Sequence, residues 1–143
     1  MLDLSGSSAR VILARVLAVP RAAGAAPERF VMLANGEQIG TLEVVREGPG
    51  IELDYRIDDN GRGPKVRESL RLDPDGRLVD WHVRGAANIG APIDERYRLQ
   101  GSRATWKTLN DAGAAPNDGG SIYVAAGASP WSYGLYLRVL LQR

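Results

Sequence analysis

A chain of 143 residues with 18 basic and 17 acidic side chains carries a net charge of +1, so no global field draws it to a phosphate backbone or an anionic lipid surface. Nucleic acid is therefore not an expected partner. With no cysteine and a single histidine, disulfide staples and thiolate metal sites are excluded, and a hydrolytic zinc site lacks its customary ligands.

The length suits one domain that buries roughly two thirds of the surface its unfolded form exposes. Three Trp, five Tyr and one Phe against 17 Gly describe a mostly aliphatic core interrupted by many turns. In residues 1–27, Arg10, the apolar runs 11–14 and 16–19 and the small-residue stretch 22–26 imitate a secretory signal, with Ala23-Gly24-Ala25 placed as an A-x-A cleavage site. Arg15 breaks the apolar run, which a signal needs uninterrupted over about 7 to 15 residues. Residues 1–27 thus read as a degenerate leader, followed by a single domain over 28–143. No stretch approaches the roughly 20 apolar residues of a membrane-spanning helix.

From Arg29 the hydrophobic period becomes two. Residues 29–34 and 38–46 flank Asn35-Gly36, a dipeptide suited to a tight hairpin. Ile51, Leu53, Tyr55 and Ile57 alternate with Glu52, Asp54, Arg56 and Asp58, the pattern of a strand with one buried and one wet face. Strands over 65–72 and 77–84 flank Asp73-Pro74-Asp75-Gly76, where proline presets a turn and glycine supplies a left-handed residue. Strands over 93–99 and 103–109 follow around Gln100-Gly101-Ser102, and 121–125 makes the last strand beyond a Gly/Ala/Asn/Asp loop at 111–120. The pattern predicts a mainly β domain: an antiparallel meander of about eight strands in a curved sheet or half-barrel.

The C-terminal stretch reads two ways. Ser129 suits a helix cap and Pro130 a first turn, after which Gly134, Arg138 and Gln142 form the only polar stripe. Tyr133, Leu135, Leu137, Val139 and Leu141 also alternate as in a strand. The Ser-Pro start favours one C-terminal helix, and a helix apolar nearly all round must be covered on more than one side. Trp131, Tyr133, Tyr136, Leu137 and Leu140 are accordingly candidate interface or pocket residues, through self-association, a partner domain or an apolar small molecule. Trp81 and Trp106 are further candidate lining for such a pocket.

Little else carries chemistry. His82 falls on the charged face of its strand with Asp80 and Arg84, and no G-x-S-x-G elbow occurs, so neither a Ser-His-Asp site nor a general base is expected there. Residues 60–65, Asn-Gly-Arg-Gly-Pro-Lys, lack P-loop spacing and precede a strand, as a connecting turn does. Glu68 shares a face with Val66, Leu70 and Leu72, and Glu95 with Ile93, Tyr97 and Leu99, so both carboxylates are expected to point inward. Paired inward carboxylates are the equipment of glycoside hydrolysis. They are also explained by inward-reaching arginines or by a place at a sheet margin, where charge discourages edge pairing.

The succession of residues 31–40 (an apolar strand, Asn-Gly, then a strand opening at Gly40), Asn60-Gly61-Arg62-Gly63-Pro64-Lys65, Arg71-Leu72-Asp73, Pro92-Ile93-Asp94-Glu95-Arg96, Thr105-Trp106 and Ser129-Pro130-Trp131 resembles the non-catalytic N-terminal domain of certain bacterial amidohydrolase-superfamily proteins. The resemblance covers about residues 28–141. In that family the domain precedes a metal-dependent hydrolase barrel, whose metal-binding histidines have no counterpart here, so no catalytic, metal or cofactor residue carries over. The resemblance implies an accessory domain that packs on or caps a hydrolase, in a periplasmic or secreted setting, or a cytoplasmic one if the leader does not act as a signal. The alternatives are a half-barrel that binds a small lipophilic ligand and a small glycosidase using Glu68 and Glu95.

Overall fold

Asn35 and Gly36 both take positive φ angles, 52° and 83°, the backbone of a two-residue turn whose twist matches the strands it joins. They connect β1 (Glu28–Ala34) to β2 (Glu37–Glu47) in a computed structural model that describes residues 26–117 and 120–141. β3 (Gly50–Ile57) and β4 (Lys65–Leu72) meet through a second turn of the same kind at Asn60-Gly61, with φ of 53° and 78°. There Asp59 and Arg62 exchange backbone hydrogen bonds of 2.7 and 3.0 Å, and the Gly61 amide donates to the Asp58 carboxylate at 2.8 Å. The glycine-rich run is thus a connecting turn. Between β4 and β5 (Leu78–Ala86), the Asp73 carboxylate accepts from the amides of Asp75 (3.0 Å) and Arg77 (2.8 Å), while Gly76 stands at φ 80°.

β6 (Pro92–Gln100), β7 (Arg103–Lys107) and β8 (Ala112–Pro116) complete one sheet in the order β1 to β8, every neighbouring pair antiparallel. β1 and β8 do not pair with each other, so the curved sheet stays open, as the meander predicts. Register shifts at Met32/Leu33 and Arg71/Leu72 are bulges of the kind that bend a strand. One helix, α1 (Ser132–Leu141), follows.

The eighth strand is not where the sequence pattern put it. Residues 121–125 are not a strand, and Ala112–Pro116, expected to be loop, is. The cause lies in residues 108–111: the Thr108 hydroxyl accepts from the amides of Asn110 (3.3 Å) and Asp111 (3.0 Å), and the Thr108 amide donates to the Asp111 carbonyl at 2.7 Å. This turn ends β7 two residues early and sends the chain back along its edge. Low strand propensity in Ala-Gly-Ala-Ala-Pro is overridden by ladder bonds and by packing. A Cβ on Gly113 would stand 2.3 Å from Cζ2 of Trp106, so glycine lets the β8 backbone lie against the indole.

The helix also begins later than its Ser-Pro start implied. Pro130 and Trp131 form a turn, and the Ser129 carbonyl receives both the amide (3.1 Å) and the hydroxyl (2.8 Å) of Ser132. Residues 1–25, which carry most of the signal-like pattern, lie outside the described residues. No helix among the described residues is long and apolar enough to cross a membrane.

Candidate functional site

The antiparallel register sets two rows of inward side chains across the middle of the sheet. Ile51, Leu70, Trp81, Tyr97, Trp106 and Gly113 form one row, and Leu53, Glu68, Val83 and Glu95 the next. Glu68 and Glu95 thus flank Val83 on adjacent strands, their Cα atoms about 10 Å apart at ordinary strand spacing. Both are buried, Glu68 at 1% exposure and Glu95 at 6%, as their alternation predicts.

Neither meets an arginine, and neither lies at a sheet margin. Glu68 Oε2 accepts from the indole Nε1 of Trp81 at 2.9 Å, and its Oε1 accepts from the backbone amide of Ser129 at 2.6 Å. Glu95 Oε1 accepts from the Tyr123 hydroxyl at 2.5 Å, and its Oε2 from the Ala126 amide at 3.1 Å. The expected arginine partners are replaced by donors of the segment that crosses the concave face, because an irregular segment laid on an apolar sheet carries amides that must find acceptors. Burial raises the Glu68 carboxyl above its ordinary value, and hydrogen bonds from Ser129 and Trp81 offset part of that rise. The Tyr123 phenol is pushed well above its ordinary value by burial and by Glu95, which keeps it a donor.

This clamped segment and the helix complete an aromatic cluster over the sheet. The Tyr123 ring stacks on Tyr97 with centroids 4.6 Å apart and meets Trp81 edge-on at 6.5 Å, while Tyr136 leans against Trp81 at 6.4 Å. Gly127 lies so close to β6 that a Cβ there would stand 2.7 Å from Cγ2 of Ile93. Beside the cluster, β5, β6, the crossing segment and α1 leave a cavity of about 260 Å³, lined chiefly by Leu78, Tyr97, Leu99, Tyr123, Leu135 and Val139, with the exposed Arg77 and Arg138 at its mouth.

Of the aromatic candidates for a pocket, Tyr136 lines this cavity and the others do not. Trp81 is packed behind it in the core, Trp106 stands over Gly113, and Trp131 lies under the Arg46 guanidinium at 5.3 Å. Tyr133 faces outward. Tyr97 and Leu99 were legible as inward positions of their strand, whereas strict alternation puts Leu78 on the charged face with Asp80 and His82, and only the register shift opposite Arg71/Leu72 turns it inward. Tyr123 was hidden by the strand expected over 121–125.

The helix divides its residues sharply. Ser132 and Leu135 are buried and Tyr136 and Val139 half-buried, whereas Tyr133, Leu137 (58%), Leu140 (54%) and Leu141 are exposed. The exposed set recurs at i, i+4, i+7 and i+8, an apolar stripe along the outer face. Tyr133 carries the stripe into a shallow cleft shared with Tyr55, Ile89, Ile93, Ala126 and Pro130.

His82 sits on the opposite, outer face of the sheet. Its Nδ1 accepts from Arg96 at 3.0 Å, which makes Nε2 the protonated nitrogen facing Asp94 at 2.7 Å. Ion pairs such as Arg98–Asp80 (2.9 Å) and Arg67–Asp54 (3.2 Å) surround it, so this face is cross-strand charge pairing in solvent. Among the described residues no three His, Cys, Asp or Glu side chains are grouped to hold a metal ion.

Neither a family model, nor a curated protein, nor a solved structure matches the chain.

Proposed function

We propose that this chain is a non-catalytic interaction module that docks on a second protein surface through the outer face of α1. The observation that carries this reading is the stripe of Tyr133, Leu137, Leu140 and Leu141, which the sheet leaves uncovered and which continues past Tyr133 to the exposed Ile89. Contiguous exposed apolar surface of this kind marks an interaction site. The engagement of both inward carboxylates by Ser129, Trp81, Tyr123 and Ala126 supports a structural rather than a catalytic use of Glu68 and Glu95.

By its resemblance to amidohydrolase N-terminal domains, the surface it meets is that of a metal-dependent hydrolase barrel, and the chain packs on or caps that barrel. Without such a barrel, a second copy of the chain covers the same stripe. Light scattering over a range of concentrations tests this: mass rises with concentration, and Leu137→Glu or Leu140→Glu restores a monomer that still unfolds cooperatively, with a midpoint that no longer depends on concentration. A chain that remains monomeric throughout and binds no apolar dye overturns the reading. A hydrolase reading frame beside the gene supports the barrel as the partner.

A further inference from the structure

We infer that the cavity between β5, β6 and α1 is a binding site for a small amphipathic monocarboxylate, with its apolar body among Leu78, Leu99, Leu135 and Val139 and its carboxylate against Arg138. This site is separate from the outer stripe, since Leu135 and Val139 lie on the inner face of α1 and Leu137 and Leu140 on the other.

Size, lining and charge converge on this class of ligand. A volume of about 260 Å³, at roughly 30 Å³ for each water-sized group, admits an apolar chain of roughly eight carbons. The interior walls are mainly aliphatic and aromatic, and the Tyr97 hydroxyl accepts a hydrogen bond from Asn117 Nδ2 at 3.2 Å, which leaves its own proton available as a donor. An apolar pocket with a few polar groups is the usual form of a small-molecule site.

The mouth adds direction. Arg77 is engaged by Asp73 at 2.8 Å and by Asp75 at 3.6 Å, so its charge is already met. Arg138 forms no ion pair among the described residues, and its guanidinium lies beside Gly76 at the rim. One unpaired guanidinium at the open end of an apolar slot matches a single carboxylate in charge and in planar shape. A phosphate dianion would call for more positive charge than this rim carries.

Octanoate is the probe, with 1-octanol as its uncharged counterpart, each titrated into the full chain and followed by amide chemical shifts. Octanoate is expected to shift Leu78, Leu99, Leu135 and Val139 saturably with one-to-one stoichiometry, and more tightly than octanol. Arg138→Gln is expected to weaken octanoate about tenfold, the loss of one charge-assisted hydrogen-bonded contact, while octanol changes less than twofold. Leu137→Glu, on the outer face, leaves octanoate binding unchanged, which separates this site from the docking stripe. Absence of saturable shifts up to millimolar octanoate, equal affinity for octanoate and octanol, or insensitivity to Arg138→Gln in a variant with an unchanged melt each overturns the inference.

Discussion

Glu68 and Glu95 turn a potential liability into the fastening of the structure. A buried carboxylate is costly unless its oxygens are hydrogen-bonded, and each of these takes one donor from an aromatic side chain and one from the backbone of the crossing segment. Glu68→Ala strands the Trp81 indole and the Ser129 amide, and should lower stability by roughly 2 to 4 kcal/mol in urea unfolding. The same residue has a pH signature. Its carboxyl lies above the ordinary 4.5 in the folded state because of burial, so the folded protein holds this proton more tightly than the unfolded chain does. The stability contributed by that difference is full below pH 4.5 and is lost as pH rises through the raised value. Asp54, held below 3.8 by its Arg56 hydrogen bond, acts in the opposite sense and in a lower window. The stability difference between the native chain and Glu68→Ala should therefore shrink from acid toward neutral pH, as paired unfolding curves will read. Tyr123→Phe removes the donor to Glu95 Oε1 and should cost about 1 to 3 kcal/mol, the range for leaving a buried polar atom without its partner.

Among the elements, α1 and β8 show how packing decides what propensity leaves open. The inward face of α1 is fixed by Leu135 against the core, so Leu135→Glu should abolish cooperative unfolding, whereas Leu140→Glu on the exposed face should change stability by no more than about 0.5 kcal/mol. Circular dichroism melts of the two variants check that contrast. β8 depends on a close approach instead of side-chain burial. In Gly113→Ala the new methyl meets the Trp106 ring, and the resulting displacement should cost roughly 1 to 3 kcal/mol. It should also change the Trp106 environment, visible in indole NMR resonances before global unfolding.

For the whole molecule, one open sheet with nearest-neighbour pairing cannot bury its inner face alone, and the cover comes from the C-terminal segment. Deleting residues 121–143 should expose the row through Trp81 and Tyr97 and end cooperative unfolding. Deleting residues 1–27 should leave the thermal midpoint within a few degrees, because the described buried residues fall between Leu42 and Leu135. Differential scanning calorimetry of the two truncations distinguishes a domain that needs its C-terminal cover from one that does not. Much of this arrangement was legible beforehand. Period-two alternation identified seven of the strands and the inward carboxylates, and Asn35-Gly36 and Asp73-Pro74-Asp75-Gly76 marked their turns, since such patterns are enforced residue by residue.

By itself the sequence determined an antiparallel meander with one wet charged face, because strand alternation and turn chemistry are local. For the C-terminal stretch it favoured a helix and left a strand open; a helix there would leave a face to be covered, since 3.6-residue periodicity cannot bury every side of Tyr133 through Leu141 against one sheet. Only the tertiary structure decided the rest. It moved the last strand to Ala112–Pro116, because the free edge of β7 and the Trp106 ring outweighed the weak propensity of that stretch. It gave Glu68 and Glu95 backbone and aromatic donors in place of arginines, and it formed a cavity from Leu78, Leu99 and Val139, residues far apart in the chain. Those outcomes rest on contacts between distant segments, which no local pattern encodes.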